Sequence, residues 1–264
     1  MADAQRIAVV TGASSGIGES LVHGLAAKGW RCVLVARRED RLRTLAEEVG
    51  GEFEVCDVGD RAAVETVAAR VLDRHPEVHL LVNNAGVAER DTFVEADLDS
   101  VERVLAVNYF GTVWCTRALL PALRAAARPG RARPARAHVV NVVSIAGAIA
   151  FARSGPYVAS KHAQLAFSRS LRPALARSGI AVHTIMPGFV ETEGFPQSVL
   201  RSRRRSRWLV TDPAHVAEAI VQAVEDRRPE VTVPWFPYRF AVAVHGMAPG
   251  LVRRVERLMP KRKR

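Results

Sequence analysis

Tyr157 and Lys161 stand four residues apart, so on a helix their side chains share one face a turn apart. With three tyrosines and four lysines in the chain, about 0.05 such pairs are expected by chance. A free phenol, with a pKa near ~10, exchanges protons poorly at neutral pH. An ammonium beside it favours the phenolate, so the pair reads as a proton donor and acceptor tuned toward the working range. Ser144 closes the apolar run 139–143, thirteen residues before Tyr157, and its hydroxyl can hold a substrate oxygen beside the phenol. The bland alternative is a helix-surface tyrosine and lysine with an unrelated strand-end serine.

A second pattern, near the other end of the chain, weighs against that alternative. The apolar run 7–11 ends in Thr11-Gly12-Ala13-Ser14-Ser15-Gly16-Ile17-Gly18, and a helical stretch follows at once. Glycines at a strand-to-helix turn let the backbone approach a pyrophosphate, whose charge rests on the free N–H groups of the helix N-terminus. In a dinucleotide site the second strand usually ends in a carboxylate that binds the ribose 2′-hydroxyl of NAD. Here that strand ends Leu34-Val35-Ala36-Arg37-Arg38, with Ala36 in the place of the acid. Arg37 suits the 2′-phosphate of NADP(H) through charge-assisted hydrogen bonds. The competing reading is that Arg37 and Arg38 are surface charges in a chain with 34 arginines and 4 lysines. The expected cofactor is therefore NADP(H), and a cationic nicotinamide would favour the Tyr157 phenolate further.

These residues must be positioned by the elements between them. Strand-like apolar runs span residues 7–11, 32–36, 53–56, 80–83, 138–144, 181–186 and 230–234. Amphipathic helical stretches span 18–28, 41–49, 62–74, 98–127, 157–178 and 213–228. Strands apolar on both faces, alternating with helices, predict an α/β single-domain Rossmann fold. Its core would be a doubly wound, seven-stranded parallel sheet with helices on both faces. No repeat or composition shift divides residues 1–264. Two loops stand out: the basic, proline-rich stretch 128–137, and 191–211 with Arg201, Arg203, Arg204, Arg205 and Arg207.

The glycine loop Thr11–Gly18, Asn83-Asn84-Ala85-Gly86, Asn108, Ser144, Tyr157-x3-Lys161 and Pro187-Gly188 stand in the order and spacing of a known family. The chain resembles the short-chain dehydrogenases/reductases over roughly residues 5–235. The resemblance implies a catalytic set of Asn108, Ser144, Tyr157 and Lys161. Tyr157 would be the general acid in reduction. Lys161 would hold the nicotinamide ribose and tune Tyr157, and Ser144 would orient the carbonyl. Asn108 would bind a water that completes a proton relay. The resemblance also implies cofactor contacts from Gly12, Ser14, Ser15, Gly16, Ile17 and Gly18, with Asp57 and Val58 at the adenine. Asn83, Asn84, Ala85 and Gly86 would line the central cleft, although an asparagine at Asn83 also suits pinning neighbouring strands. Pro187, Gly188, Val190 and Thr192 would close on the nicotinamide and diphosphate. No metal is implied. Homodimers or homotetramers, built on the helices carrying Asn108 and Tyr157, are the rule in the family.

Substrate choice in this family rests on the segment after Pro187-Gly188 and on the C-terminus. Residues 189–211 are expected to form a mobile lid with one or two short helices, in which Gly194, Phe195 and Pro196 line an apolar pocket. Residues 235–264 form an apolar and basic extension. From Leu200 onward 15 basic and 6 acidic residues leave +9 of the chain's net charge of +11. Basic residues around aromatic and aliphatic ones suit peripheral contact with a membrane surface. The alternative is that the tail packs on its own core or on a sister subunit. The chain lacks a helix-turn-helix, zinc or RNA-recognition pattern, so specific nucleic-acid binding is not expected. Cys32, Cys56 and Cys115 are scattered among apolar neighbours and read as buried, reduced thiols. The first six residues lack signal-peptide features, and no apolar run reaches the roughly 18 residues of a spanning helix. A cytoplasmic protein is expected. These readings converge on an NADP(H)-dependent oxidoreductase of a small hydrophobic carbonyl or alcohol. A 3-oxoacyl-thioester reductase, and a non-catalytic NADPH-binding sensor or scaffold, remain as alternatives.

Overall fold

The computed structural model describes residues 5–89, 91–127, 137–150, 154–202, 204 and 207–247. The basic loop 128–136, Arg203 and Arg205 of the arginine cluster, and residues 248–264 of the C-terminal extension lie outside the described residues.

The chain opens with β1 (Ile7–Thr11), α1 (Gly16–Ala27), β2 (Arg31–Ala36), α2 (Glu39–Val49), β3 (Glu52–Val55) and α3 (Arg61–Arg74). The second half of the sheet is built from β4 (Leu80–Asn83), α4 (Leu98–Leu105), α5 (Gly111–Ala126), β5 (Ala137–Val142), α6 (Gly155–Ala176) and β6 (Ile180–Pro187). A short pair, β7 (Phe189–Val190) and β8 (Val210–Thr211), encloses α7 (Ser198–Arg201). Then come α8 (Pro213–Glu225), β9 (Glu230–Val233) and α9 (Tyr238–Met247). The main sheet runs β3-β2-β1-β4-β5-β6-β9 with every pairing parallel. This is the doubly wound, seven-stranded sheet read from the sequence.

Strand β1 shows why both faces are covered. All five of its residues are buried. Ala8 and Val10 belong to one core with Leu21 of α1, Leu42 of α2 and Ile220 of α8. Val9 belongs to the other, with Val67 of α3, Leu119 of α5 and Leu175 of α6. Alternate residues of one strand thus feed two apolar cores, which accounts for its continuously apolar run. Side-chain caps start two helices: Asp60 accepts from the Ala62 and Ala63 amides at 2.9 and 3.3 Å, and Asp97 accepts from Ser100 at 3.2 Å.

One expected helix is not uniform. The stretch read as a single helix over 98–127 consists of α4, a π-helical turn at Ala106–Phe110, and α5. The wider turn inserts an extra residue, and Asn108 lies within it.

Candidate active site

The strand order reverses between β2 and β4, with β1 between them, and a crevice opens at the C-terminal strand ends. A cleft of about 840 Å³ lies there. Thr11 fixes its floor. The Thr11 hydroxyl donates to Val82 O and accepts from the Asn84 and Ala85 amides at 3.0 and 3.1 Å. The Asn84 side chain donates back to the Thr11 and Gly12 carbonyls at 3.0 and 3.2 Å, so the glycine loop is clamped to the end of β4.

Gly12 and Gly16 have φ of 66° and 59°, the left-handed region that favours glycine. A Cβ on Gly16 would lie 2.9 Å from Thr192 Cγ2, so the loop and the segment after β6 approach too closely for a side chain. No side chain caps the start of α1 at Ser15. A narrow backbone cradle opening on an uncapped helix start fits a pyrophosphate. Ser14, Ser15, Gly16 and Ile17 line the cleft, as Gly12 does. Gly18 does not line it. A Cβ there would fall 2.2 Å from Gly12 O, so this glycine serves the packing of helix on loop.

At the end of β2, Arg37 faces Asp57 with 3.6 Å between Nη1 and Oδ2. Arg38, which the sequence reading did not place in the site, lines the cleft and is bound more tightly. Its guanidinium donates to Ser14 Oγ at 3.1 Å and Ser15 Oγ at 2.6 Å, and also to Glu193 at 3.1 Å. Arg41 donates to the same Glu193 carboxylate at 2.5 and 3.2 Å. These two cations hold the Glu193 carboxyl below the usual carboxylate range, Arg41 most strongly. Asp57, Val58, Asn84, Ala85 and Gly86 line the cleft beyond.

The opposite wall comes from β5, α6 and the end of β6. Ser144, Tyr157 and Lys161 meet there. The Ser144 hydroxyl stands beside the Tyr157 phenol and donates to Pro187 O at 3.4 Å. Burial pushes the phenol up to about 12, partly offset by the neighbouring Ser144 hydroxyl. The expected lowering therefore does not arise from the protein groups alone. Lys161 Nζ lies 5.7 Å from the Tyr157 ring centre, and burial holds its pKa down at about 7. The ammonium donates to Val142 O at 3.1 Å and Gln164 Oε1 at 2.8 Å.

Asn108 is fully buried and does not line the cleft. Its side chain accepts from the Val87 amide at 2.8 Å and donates to Val87 O and Ser160 Oγ, each at 2.9 Å. Beside Gly86 it comes close to Lys161: a Cβ on that glycine would lie 3.3 Å from Asn108 Oδ1 and 3.6 Å from Lys161 Nζ. Asn83 does not line the cleft, contrary to expectation. It donates to Thr116 Oγ1 and Asn141 Oδ1 at 2.9 Å each and so pins β4 to α5 and β5. That is the strand-pinning alternative.

Pro187, Gly188, Val190 and Thr192 line the near side of the cleft, joined by Phe189, Glu193, Gly194 and Phe195. Pro196, expected with Gly194 and Phe195, is not among the lining residues. The Phe195 ring lies 5.5 Å from that of Tyr157. Behind this segment, Tyr238 of α9 packs on Gly188, donates to Leu209 O at 2.6 Å and is buried. The start of the C-terminal segment thus packs on the chain's own core. Trp208, Trp235, Phe236 and Phe240 stay exposed, with Trp208 and Phe236 stacked at 6.0 Å. Cys32, Cys56 and Cys115 are free and buried, as read from their neighbours. No group of metal-ligating side chains, and no helix long and apolar enough to cross a membrane, occurs among the described residues.

A family model described as short chain dehydrogenase matches residues 6–201. The Xenopus laevis protein named dehydrogenase/reductase SDR family member 7B is 31% identical, covering 93% of this chain and 79% of its own. A solved short chain dehydrogenase/reductase from Burkholderia phymatum, in complex with NAD, is 25% identical with a TM-score of 0.79, covering 94% of this chain and 95% of its own. A solved variant of actinorhodin polyketide ketoreductase with NADPH is 27% identical with a TM-score of 0.75, covering 87% and 95%.

Proposed function

The chain belongs to the short-chain dehydrogenase/reductase family, and from that premise we propose that it is an NADP(H)-dependent oxidoreductase of lipophilic carbonyl and alcohol substrates. The observation that carries the reading is the convergence of Ser144, Tyr157 and Lys161 on one wall of the cleft whose other end is the glycine loop. The dinucleotide would be held by Gly12, Ser14, Ser15, Gly16 and Ile17 of the glycine loop, by Asp57 and Val58, by Asn84 to Gly86, and by Pro187, Gly188, Val190 and Thr192. Arg37, with Arg38 beside it, would take the 2′-phosphate, since Ala36 offers no carboxylate to repel it. When bound, NADPH supplies the hydride delivered to the carbonyl carbon.

Everything else falls to the protein. The Tyr157 hydroxyl gives its proton to the carbonyl oxygen, and Ser144 holds that oxygen in place. A phenol whose pKa burial raises to about 12 is fully protonated at neutral pH, ready to act as the acid in reduction. Lys161 would bind the nicotinamide ribose and, when charged, ease the departure of the phenolic proton. Asn108 keeps the Val87 loop and Ser160 in register beside Lys161. In oxidation the same groups run in reverse. Phe189, Phe195, Val143 and Ile145 around the Tyr157 end of the cleft favour an apolar substrate.

We read residues 1–264 as one domain, with 189–211 as a substrate lid and 235–264 as an extension. The aromatic cluster of Tyr109 and Phe110 in the π turn and Trp114 of α5 supports a homodimer or homotetramer through the helices carrying Asn108 and Tyr157. We read the protein as cytoplasmic, with peripheral membrane contact supported by the exposed Trp235, Phe236 and Phe240. A 3-oxoacyl-thioester reductase is a second reading. It would set the basic lid, with Arg203 to Arg207 as the contact, against an acidic carrier protein.

The test is NADPH consumption against ketones and aldehydes of graded lipophilicity, with Tyr157→Phe as the blank. Turnover that rises with apolar size and vanishes in the variant supports the proposal. A Tyr157→Phe protein as active as the wild type would defeat the enzymatic reading. NADPH binding without turnover of any carbonyl would leave the sensor or scaffold reading in its place.

A further inference from the structure

Between the lid and the start of α2 lies an ion cluster that the hydride-transfer chemistry does not use. Glu193 reaches across the mouth of the cleft and places its carboxylate on Arg38 and Arg41, with nitrogen-to-oxygen distances of 3.1, 2.5 and 3.2 Å. Arg38 is held from its other side by Ser14 and Ser15 of the glycine loop. One guanidinium therefore joins the loop to the lid. Of the two partners of Glu193, Arg38 lines the cleft just beyond the end of β2, where the 2′-oxygen of a bound adenosine ribose is read in folds of this kind, and Arg41 stands behind it in the first turn of α2. Arg37, the neighbouring cation, is held more loosely by Asp57 at 3.6 Å.

We propose that Glu193 is a built-in competitor for the 2′-phosphate and thereby a determinant of cofactor selectivity. Its carboxylate neutralises Arg38 and Arg41 until a dinucleotide bearing that phosphate takes over their hydrogen bonds. The inference rests on the NADP(H) reading above. A phosphate dianion and a carboxylate seek the same planar donors, so the two exclude each other at one guanidinium edge. NADH brings no such anion and leaves the pair in place. Thr192, next to Glu193, meets the glycine loop at Gly16, so the exchange at Glu193 takes place beside the residue that covers the pyrophosphate cradle.

The test is equilibrium binding of NADPH, NADH and 2′,5′-ADP to the wild type and to Glu193→Gln, read by intrinsic fluorescence or calorimetry without any substrate. Glu193 is exposed, and its replacement leaves both cores untouched. Releasing two solvent-exposed ion pairs should tighten NADPH and 2′,5′-ADP by about three- to tenfold and leave NADH within about twofold. A NADPH-to-NADH ratio identical in the two proteins, with the wild type preferring NADPH, overturns the role of Glu193 and leaves the cofactor reading standing. Wild-type protein that prefers NADH, or binds neither dinucleotide, overturns the cofactor reading and the inference with it. Equal tightening of both dinucleotides would make Glu193 a general lid contact and overturns its part in selectivity.

Discussion

Gln164 holds Lys161: the ammonium donates to the amide oxygen at 2.8 Å across one turn of α6. The amide is anchored in turn, donating to Thr112 Oγ1 at 2.8 Å, and Thr112 donates to the Asn108 carbonyl at 3.0 Å. Protein atoms thus connect the lysine of the candidate catalytic set to the main chain of its asparagine. Gln164 is fully buried, so its only role is what it touches.

Removing that acceptor should shift the pH dependence of turnover. Burial already holds the Lys161 pKa at about 7, and loss of Gln164 Oε1 leaves the charged form less stabilised. The ammonium is then lost at lower pH. In Gln164→Leu the alkaline limb of kcat should move down by about one pH unit, and in Gln164→Glu it should move up. Limbs that coincide in all three proteins would mean that Gln164 only fills space.

Cofactor preference tests the other end of the cleft. Arg37→Ala should lower the NADPH-to-NADH affinity ratio by about tenfold, the loss of one charge-assisted contact. The measurement is a pair of binding isotherms for each protein. An unchanged ratio would move the 2′-phosphate site away from the end of β2.

The segment after β6 is braced from behind. A Cβ on Gly188 would lie 2.1 Å from the Tyr238 ring, and the Tyr238 hydroxyl donates to Leu209 O at 2.6 Å. Tyr238→Phe should cost about 1 kcal/mol in thermal unfolding, and Gly188→Ala about 1–3 kcal/mol. Both should increase proteolytic cleavage within 189–211. Cleavage at the wild-type rate would show that α9 does not brace this segment.

The thiols set an alkaline limit on stability. Burial pushes Cys32 and Cys115 up to about 12, and pushes Cys56 up to about 11 with help from Asp57 and Asp60. The native thiols stay protonated after the unfolded chain has begun to ionise near 9. Stability is therefore intact below that pH and falls as pH rises toward 12. A thiol reagent at pH 8 should label none of the three until denaturant is added, and Cys115→Ala should flatten the loss above pH 9.

How much of this was legible in the sequence depends on how local each feature is. The strands betray themselves through apolar residues on both faces, as in β1, and the glycine loop through its spacing. Tyr157 and Lys161 are one helical turn apart, so their meeting needs no tertiary knowledge. Gln164, Arg38 and Glu193 carried no such mark. Gln164 is a polar residue three positions after Lys161 on a helix already read as amphipathic, and only its burial under α5 gives it a task. Glu193 lies 152 residues from Arg41 in sequence, and nothing in either neighbourhood announces the pairing. Asn83 and Asn84 are adjacent and alike, yet the strand turns one into the sheet interior and the other onto the glycine loop. The π turn was hidden because Ala106–Phe110 carries no residue type that marks a break, and the shift it makes in the apolar pattern of 98–127 is a single residue.

That inserted residue sets the phase between two helices with separate duties. Upstream, α4 buries Val104; downstream, α5 presents Thr112 to Gln164 and lays Cys115, Leu119 and Leu123 against the sheet. Were Ala106–Phe110 to wind as a regular α-helix without losing a residue, α5 would rotate by about 100° relative to α4. The apolar stripe of α5 and the prop beneath Lys161 would swing away together. The wide turn works as a fixed angular coupling: it takes up one residue without changing which face of α5 meets the sheet.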